Sequence, residues 1–479
     1  MINILMVASE ASPYAKTGGL ADVVGSLPAE LKKQETEVRV ILPKYDSIPW
    51  DLKEQIQHRS YIYVDMGWRH IYCGIEQAEY NGVIYYFIDN EYYFKRDRLY
   101  GHIDDCERYA FFCKSVLESI PHLDFVPEVL HCHDWQAGMV PVLLEAHYRK
   151  NDLYKKMVTV FTIHNLRYQG IYGMKEFKDW FSLSDDYFTN DKLEFYEGAS
   201  FMKGGLVYSS VITTVSENYA EEIKMPYYGE DLDGLLRARS HDLHGILNGI
   251  DYNEYNPKKD SMIYQTFSKS NLTGKAVNKV ALQKDLGLRE QEDVPLISMI
   301  SRLVDQKGFD LVACIFEELL EEEIQFIVLG VGDEKYEKLF GWAQGRYPGK
   351  VSSKICFDNN LSHKIYAGSD FFLMPSLFEP CGLGQLISMR YGTLPIVRET
   401  GGLKNTVFPY NEETQEGNGF SFANYNAHDM LHTIRRALEI YKKKTLKNKL
   451  IKAAMSCDYS WESSAKKYKE LYESIVHET

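Results

Sequence analysis

Short apolar segments recur along this chain, and most of them precede a segment with the apolar spacing of a helix. A first series runs from Ile2–Ala8 to Val211–Val215, and a second runs from Leu296–Ile300 to Leu394–Arg398. Continuously apolar runs are typical of strands buried on both faces, and strands alternating with helices form parallel sheets with right-handed crossovers. The sequence therefore predicts an α/β protein with two doubly wound, Rossmann-like domains.

The predicted boundary between the domains follows from a turn and a proline that interrupt the pattern after Asp242. We expect domains at residues 1–245 and 246–458, and a C-terminal amphipathic helix within 459–479 that crosses back to the first domain. Within the first domain, Tyr61–Asp65, His70–Gln77 and Gly82–Ile88 alternate in polarity and predict an inserted antiparallel region. The first domain also has a predicted helix Trp135–Tyr148, and the second has a predicted strand Lys354–Phe357.

Composition restricts the class of partner. A chain of 479 residues is too long for one core, and its net charge of −14 disfavours nucleic acid or an anionic membrane as the main partner. The first residues lack a basic leader, and no apolar run has the length of a membrane span, so a cytoplasmic protein with reduced cysteines is expected. The 35 tyrosines are compatible with sugar stacking but are usually packing residues. Self-association into a homo-oligomer stays open.

One tetrapeptide occurs twice. Thr17–Leu20, the first glycine loop, has the sequence Thr-Gly-Gly-Leu, which returns at Thr400–Leu403, the second glycine loop. Paired glycines let a backbone loop approach an anion, and the free N–H groups of a helix start then point at it. We therefore expect two lobes that face one phosphorylated or multiply hydroxylated ligand, although either loop alone could be an ordinary tight turn.

Charged residues cluster where predicted strands end, which is where doubly wound sheets bind ligands. Glu10 follows the strand Ile2–Ala8, and Lys16 directly precedes the first glycine loop. Arg302 and Lys307 follow the strand Leu296–Ile300, and Glu379 follows the strand Phe371–Pro375. An arginine and a lysine on one loop can grip a diphosphate and stabilise its departure. Glu379 could hold sugar hydroxyls, or simply favour the start of the next helix.

Histidine and aspartate patterns are weaker signals. His164 ends a predicted strand and could donate to a ligand hydroxyl, or be a satisfied core residue. His131 with His133, and Asp231 with Asp233, could suggest metal ligands, but neither pair has the context of a metal site, so no metal is predicted.

The motifs, taken in order, resemble those of bacterial glycogen synthases and plant starch synthases over almost the whole chain. They are Lys16–Leu20 with Ala21–Gly25, His131–Trp135, Thr162–Asn165, Asn248–Asp251, Ser301-Arg302 with Gln306–Gly308, Glu379–Leu383 and Thr400–Leu403. The resemblance implies a GT-B fold, in which two Rossmann-like domains face a central cleft. It also implies transfer of glucose from ADP-glucose to the non-reducing end of an α-1,4-glucan with retention, without a metal or other cofactor.

The same resemblance implies roles for individual residues. Those implied to take part in catalysis are His164, Arg302, Lys307 and Glu379. Those implied to bind substrate are Lys16, Gly18, Gly19, Asp22, Asp134, Asn248, Cys381, Gly382, Leu383, Thr400 and Gly401. Four positions depart from the family pattern, namely Gln136, Leu377, Gly384 and Asn405, and they leave donor preference and kinetics open.

Two alternatives remain at this stage. One is a glycosyltransferase of the same fold that uses UDP-glucose or another acceptor. The other is a non-catalytic glucan-binding protein, which would have no need for the arginine and lysine that support departure of a diphosphate.

Overall fold

A computed structural model describes residues 1–477, which form two compact units. The first comprises Met1–Asn248 and the segment from Trp461 onward, and the second comprises Gly249–Ser460. All eight cysteines are free thiols. Within residues 1–477, no helix has both the length and the apolar character needed to cross a membrane.

The first unit is built on a nine-stranded sheet in the order β12-β11-β7-β6-β1-β2-β5-β4-β3. A small antiparallel sheet in the order β8-β10-β9 is formed by the part of the chain between β7 and β11. The strands are β1 Asn3–Val7, β2 Glu37–Pro43, β3 Gln57–Met66, β4 Arg69–Tyr80, β5 Val83–Asp89, β6 Val129–His133, β7 Val158–Ile163, β8 Ile171–Gly173, β9 Glu194–Phe195, β10 Gly198–Ser200, β11 Val211–Thr214 and β12 Leu243–Gly245.

Helices connect these strands. They are α1 Gly19–Lys32, α2 Trp50–Lys53, α3 Glu91–Phe94, α4 Asp105–Ser119, α5 Met139–Leu143, α6 Met174–Phe181, α7 Phe201–Tyr208, α8 Glu217–Glu222 and α9 Asp233–Ala238. The predicted antiparallel insertion is confirmed as β3, β4 and β5, although β5 also pairs in parallel with β2 and so extends the main sheet.

The second unit contains a six-stranded parallel sheet in the order β15-β14-β13-β16-β17-β18. Its strands are β13 Leu296–Ile300, β14 Gln325–Leu329, β15 Val351–Lys354, β16 Phe371–Met374, β17 Leu394–Arg398 and β18 Phe420–Phe422. Its helices are α10 Thr273–Asp285, α11 Phe309–Glu321, α12 Glu334–Arg346, α13 Asn359–Gly368, α14 Gly384–Arg390, α15 Gly401–Thr406, α16 Ala427–Tyr441 and α17 Lys444–Ala454.

The C-terminal helix α18, Trp461–His477, belongs to the first unit. Its Ser464 hydroxyl donates to the Leu247 carbonyl at 2.6 Å, and its Tyr472 hydroxyl lies 2.7 Å from Nδ1 of His131. Trp461, Tyr468 and Tyr472 are buried, so the apolar face of this helix completes the core of the first unit.

Two details of the sequence prediction are wrong. The third strand of the second unit is Val351–Lys354 rather than Lys354–Phe357, because Val351 pairs with Phe326 while Phe357 is 86% exposed. The predicted helix Trp135–Tyr148 is instead a 3-10 turn, a short α-helix and a π-helical turn.

Both main sheets reverse their direction of strand progression beside their first strand. The chain moves from β13 outward to β15, and then returns to place β16 on the other side of β13. The first unit does the same around β1, with β2 on one side and β6 on the other. Loops that follow the two strands at such a point diverge and leave a crevice, so each unit has a defined location for a ligand.

Candidate active site

In the second unit, the predicted cationic loop and the predicted glutamate lie at this reversal point. Arg302 and Lys307 follow β13, and Glu379 follows its neighbour β16. The Lys307 Nζ lies 2.6 Å from the Glu379 Oε2, and their side chains are 17% and 9% exposed. The Ser376 hydroxyl donates to the same Oε2 at 3.1 Å. The structure therefore brings together residues that are 72 positions apart in sequence.

Arg302 is exposed, in contrast to this pair. No hydrogen bond or ion pair of its guanidinium occurs among residues 1–477. Its planar group of five donors is therefore available to a ligand at the end of β13.

The two loops pack on one another through their backbones. Gly308 has φ +77°, and a Cβ there would lie 2.2 Å from the carbonyl oxygen of Pro375. The Leu377 N–H donates to the Gln306 carbonyl at 2.9 Å. Buried Arg398 donates from Nε to the Ser376 carbonyl at 2.8 Å, and it also bonds the Leu377 carbonyl. Lys307 and Glu379 are thus held by fixed backbone as well as by their own ion pair.

The second glycine loop lies against the Glu379 turn. Gly401 has φ +44°, and a Cβ there would lie 2.0 Å from the Glu379 carbonyl oxygen, to which the Gly402 N–H donates at 3.1 Å. Thr400 precedes α15 and is fully buried. Gly401 and Cys381 are also buried. Gly382 is buried and Leu383 is half-buried at the start of α14. All of these predicted binding residues therefore lie in one contiguous layer around Glu379.

In the first unit, a buried carboxylate organises the first glycine loop. Glu10 follows β1 and is 3% exposed. Its oxygens accept from the Thr17 N–H at 2.5 Å, the Thr17 hydroxyl at 2.6 Å, the Gly18 N–H at 3.3 Å and the Tyr100 hydroxyl at 2.6 Å. Charge-assisted hydrogen bonds of this kind are the strong ones, so Glu10 fixes the loop from beneath.

The outer side of that loop is open. Lys16 makes a 2.5 Å ion pair with Asp22, and their side chains are 45% and 31% exposed. Gly18 and Gly19 are exposed, and a Cβ at either position would meet no atom within 4 Å. Contacts within the protein therefore do not require glycine at these two positions, whereas the close approach of a ligand would.

Three histidines and an aspartate lie at the ends of the adjacent strands β6 and β7. His133 is fully buried, and its Nδ1 lies 2.9 Å from Nε2 of the half-buried His164. Burial lowers the pKa of His164 to about 3 and that of His131 to about 3, and it holds the pKa of His133 well below its usual value. These imidazoles are therefore neutral at pH 7.

Asp134 fixes the backbone at His164. Its Oδ1 accepts from the N–H groups of His164 at 2.7 Å and Asn165 at 3.4 Å. Burial raises the Asp134 pKa to about 7 against the effect of these two hydrogen bonds. Asp134 also has φ +55°, a conformation uncommon for a residue with a side chain and often found at functional sites.

Two further features of the first unit could receive a hydroxylated ligand. Asn248 is 4% exposed, and its Oδ1 is buried with no hydrogen-bond partner among the described residues. Beside Asp134 in sequence, Trp135 contributes to a cavity of about 440 Å³ that is rich in aromatic side chains. Its lining residues are Trp135, Arg167, Tyr168, Gln169, Gly170, Ile171, Tyr172, Phe195, Glu230 and Asp231.

Sequence reasoning did not identify the residues that support the predicted ones. In the sequence, Glu10 stands out only as a charged residue at a strand end, and Tyr100, Ser376 and Arg398 carry no local motif. The sequence pattern pairs His133 with His131, whereas the hydrogen-bond partner of the His133 ring is His164. For Glu10, His133, Ser376 and Arg398 the available signal is a position at or just after the end of a strand, because this places side chains from neighbouring strands at one edge. Tyr100 lies between α3 and α4 and lacks even that signal.

Two family models match the chain. The model described as starch synthase catalytic domain matches residues 3–238, and the model described as glycosyl transferases group 1 matches residues 284–456.

Curated relatives match over nearly the whole length. A glycogen synthase of Anoxybacillus flavithermus is 54% identical over 475 residues, which cover 99% of this chain and 98% of that protein. A glycogen synthase of Bacillus cereus (strain ATCC 14579) is 55% identical over 475 residues, covering 99% of this chain and 100% of that protein.

Solved structures agree with these matches. The catalytic domain of starch synthase IV from Arabidopsis thaliana, bound to ADP and acarbose, has a TM-score of 0.92 and 34% identity, with 99% of each chain covered. Sucrose-phosphate synthase from Thermosynechococcus elongatus, at 17% identity and a TM-score of 0.63, shares the fold. With two Rossmann-like domains of the GT-B type and relatives at this identity, the chain belongs to the glycogen and starch synthase family of glycosyltransferases.

Proposed function

We propose that this chain transfers glucose from ADP-glucose to the non-reducing end of an α-1,4-glucan, with retention at the anomeric carbon. The observation that carries the proposal is the contact of Lys307 with Glu379 at the reversal point of the second sheet, with the exposed Arg302 on the same loop as Lys307. A cation that can bind a diphosphate, Lys307, there contacts a carboxylate that can bind sugar hydroxyls, Glu379. Binding of ADP by the related starch synthase supports this choice of nucleotide.

Arg302 and Lys307 support departure of ADP in this proposal. Breaking the anomeric bond places negative charge on the leaving phosphate, and fixed cations stabilise that charge more in the transition state than in the bound donor. Backbone packing of their loop on residues 375–377 means that little reorganisation is needed during the reaction. Thr400 and Gly401 bind the distal phosphate.

Glu379 binds the glucose hydroxyls, and Cys381, Gly382 and Leu383 form the wall of that subsite. The hydrogen bond from Ser376 and the ion pair with Lys307 hold the carboxylate in one orientation. A carboxylate next to the departing diphosphate also stabilises positive charge that develops at the anomeric carbon.

In the first unit, we assign donor contacts to Lys16, Gly18, Gly19 and His164. The open space above Gly18 and Gly19 supports a close approach of ligand to backbone. Asp22 orients Lys16 through their ion pair, and the unpartnered Oδ1 of Asn248 accepts from a sugar hydroxyl. His164 is neutral at pH 7 because burial lowers its pKa to about 3, so it acts through a hydrogen bond rather than through charge.

The glucan acceptor binds the aromatic cavity that begins at Trp135. Glucose rings present apolar faces that stack on aromatic side chains, and their hydroxyls need polar partners at the edges. Tyr168 is 52% exposed in that cavity, and the Gln169 Oε1 is buried with no hydrogen-bond partner within residues 1–477. Asp134, which precedes Trp135, orients the acceptor side. We therefore expect Tyr168→Ala to raise the KM for glycogen and to leave the KM for ADP-glucose unchanged.

We propose front-side displacement, in which ADP departs and the acceptor hydroxyl attacks on the same face of the sugar. The acceptor proton then passes to the departing phosphate, so no protein nucleophile is consumed. No metal or other cofactor takes part, and an excess of EDTA is expected to leave the rate unchanged. Trapping of a glucosyl group on a carboxylate of the enzyme would overturn this mechanism.

The experiment that tests the function measures release of ADP and UDP with glycogen as acceptor, using ADP-glucose and UDP-glucose in parallel. Release of ADP alone, with incorporation of glucose into glycogen, is the expected result. Release of UDP alone would identify a transferase of the same fold with the other donor. Release of neither, with glycogen still bound, would favour a non-catalytic glucan-binding protein.

A further inference from the structure

The imidazoles of His133 and His164, at the ends of two neighbouring strands, form a hydrogen-bonded pair. His133 ends β6, His164 follows β7, and the two strands are neighbours in which His133 pairs with Thr162. His133 Nδ1 lies 2.9 Å from His164 Nε2. His133 Nε2 is buried and has no hydrogen-bond partner within residues 1–477.

Counting protons leaves two arrangements. Both rings are neutral at pH 7, so each carries one N–H, and one N–H lies between them. If His164 Nε2 donates to His133 Nδ1, the proton of His133 must lie on Nε2, where it is buried without an acceptor. If His133 Nδ1 donates to His164 Nε2, the buried atom is only a lone pair, and His164 must carry its proton on Nδ1.

The second arrangement is favoured because a buried N–H without an acceptor is rarer and more costly than a buried acceptor with a spare lone pair. It also determines what His164 can do. A ring protonated on Nδ1 presents a hydrogen-bond donor on the side that faces away from His133.

We propose that His133 is a positioning residue that donates from Nδ1 to Nε2 of His164 and so fixes His164 as an Nδ1–H donor to a sugar oxygen. This inference rests on the proposed function for its sugar, but the tautomer itself does not depend on that function. Asp134 fixes the backbone of the same residue, so both the ring and the main chain of His164 are held by residues of the neighbouring strand end.

The third histidine of this cluster provides a control. The His131 ring lies 4.1 Å from the His133 ring, but its nitrogens bond elsewhere, to the Tyr472 hydroxyl at 2.7 Å and the Thr162 hydroxyl at 2.6 Å. Removal of the Tyr472 hydroxyl therefore disturbs a buried histidine in the same cluster without touching the hydrogen bond between His133 and His164.

The direct test is ¹⁵N NMR of the full chain labelled on histidine side chains, with His164 assigned from the signal lost in His164→Gln. The expected spectrum shows the protonated type of nitrogen at Nδ1 of His164 and the unprotonated type at Nε2. A His164 protonated on Nε2 in the wild-type protein would overturn the proposal. Because this measurement needs no turnover, it stands whether or not the protein releases ADP.

Variants extend the test to the reaction. In His133→Asn, the amide N–H can occupy the position of the Nδ1 donor, so kcat is expected within about 3-fold of wild type. In His133→Phe, kcat is expected to fall about 10-fold, the loss typical of one hydrogen bond, with the KM for ADP-glucose little changed. Tyr472→Phe should keep both kcat and the His164 spectrum. Equal losses in His133→Asn and His133→Phe would contradict the assigned role.

Discussion

The two glycine loops have the same sequence, but their glycines have different surroundings. In the second loop, a Cβ on Gly401 would lie 2.0 Å from the carbonyl oxygen of Glu379. In the first loop, a Cβ on Gly18 or Gly19 would meet no atom within 4 Å. The second loop uses its glycines to pack protein against protein, whereas the first leaves an open surface.

This contrast shows why a repeated motif does not by itself define a repeated role. The second loop supports Glu379 from behind and holds it in the reach of Lys307. The first loop is held from beneath by the Glu10 carboxylate and presents its glycines outward. A change in the second loop should therefore act first on stability, and a change in the first loop on ligand binding.

The largest effect is expected from Gly401→Ala. The new methyl group would overlap the Glu379 carbonyl oxygen, and alanine is strained at φ +44°, so the free energy of unfolding should fall by about 3–5 kcal/mol. Thermal unfolding and the yield of soluble protein measure this loss. Gly341→Ala is the matched control, because this exposed glycine of α12 has no atom within 4 Å of a Cβ and should gain up to about 1 kcal/mol. Equal thermal midpoints for the two variants would refute the packing role of the second loop.

The next effect concerns the ion pair that the second loop supports. Lys307→Ala removes a cation that stabilises the leaving diphosphate, and kcat should fall at least about 100-fold, or about 2.7 kcal/mol. Lys335→Ala removes another lysine paired to the same loop, through Asp305, where both side chains are more than half exposed. This control should keep kcat within about 2-fold, because exposed ion pairs contribute little. A similar loss in both variants would argue for general damage to the loop.

A smaller effect at low pH distinguishes the polar groups at the strand ends of the two units. The second unit has an ion pair at its strand ends, whereas the first has neutral histidines. Because burial lowers the pKa of His131 to about 3, the unfolded chain binds a proton between about pH 6.5 and 3 that the folded chain does not. The stability that His131 contributes is therefore complete above pH 6.5 and is lost as the pH falls.

His131→Asn should reduce that loss by about 1.4 kcal/mol per pH unit over this window. The raised pKa of Asp134 has the opposite effect on stability, because there the folded chain binds a proton that the unfolded chain does not. Asp134 is present in both proteins, so it does not change the difference between their pH profiles. Thermal midpoints measured from pH 7 to pH 5 give the comparison. Parallel pH profiles for the variant and the wild type would contradict the assignment.

The sequence predicted the parts of this site that depend on chain direction. Parallel strands bring their carboxyl ends to one edge, so Arg302, Lys307 and Glu379 could be placed together before any contact was known. It failed for Lys354–Phe357, where three apolar residues suggest a strand, because three of the four residues of the observed strand Val351–Lys354 are polar. The sheet β8-β10-β9 gave no signal, because strands of two or three residues carry no periodicity.

The supporting contacts could not be predicted for a different physical reason. The bond between His133 and His164 depends on the register of β6 against β7, since a shift by one residue would turn one ring to the other face. The contact between Gly401 and Glu379 depends on the conformations of two loops that are separated by an entire helix and strand. Sequence spacing determines neither register nor loop conformation.

The most direct test of the contrast between the loops is Gly19→Ala, with the ligand-free thermal midpoint and the turnover of ADP-glucose measured on the same sample. Gly19 begins α1, where alanine is tolerated, so the midpoint is expected within about 1 °C of wild type or slightly above it. Turnover is expected to fall about 10-fold, because the methyl group would occupy the space proposed for the donor. Full turnover, or a fall in midpoint similar to that of Gly401→Ala, would show that the two loops do not differ in the way described.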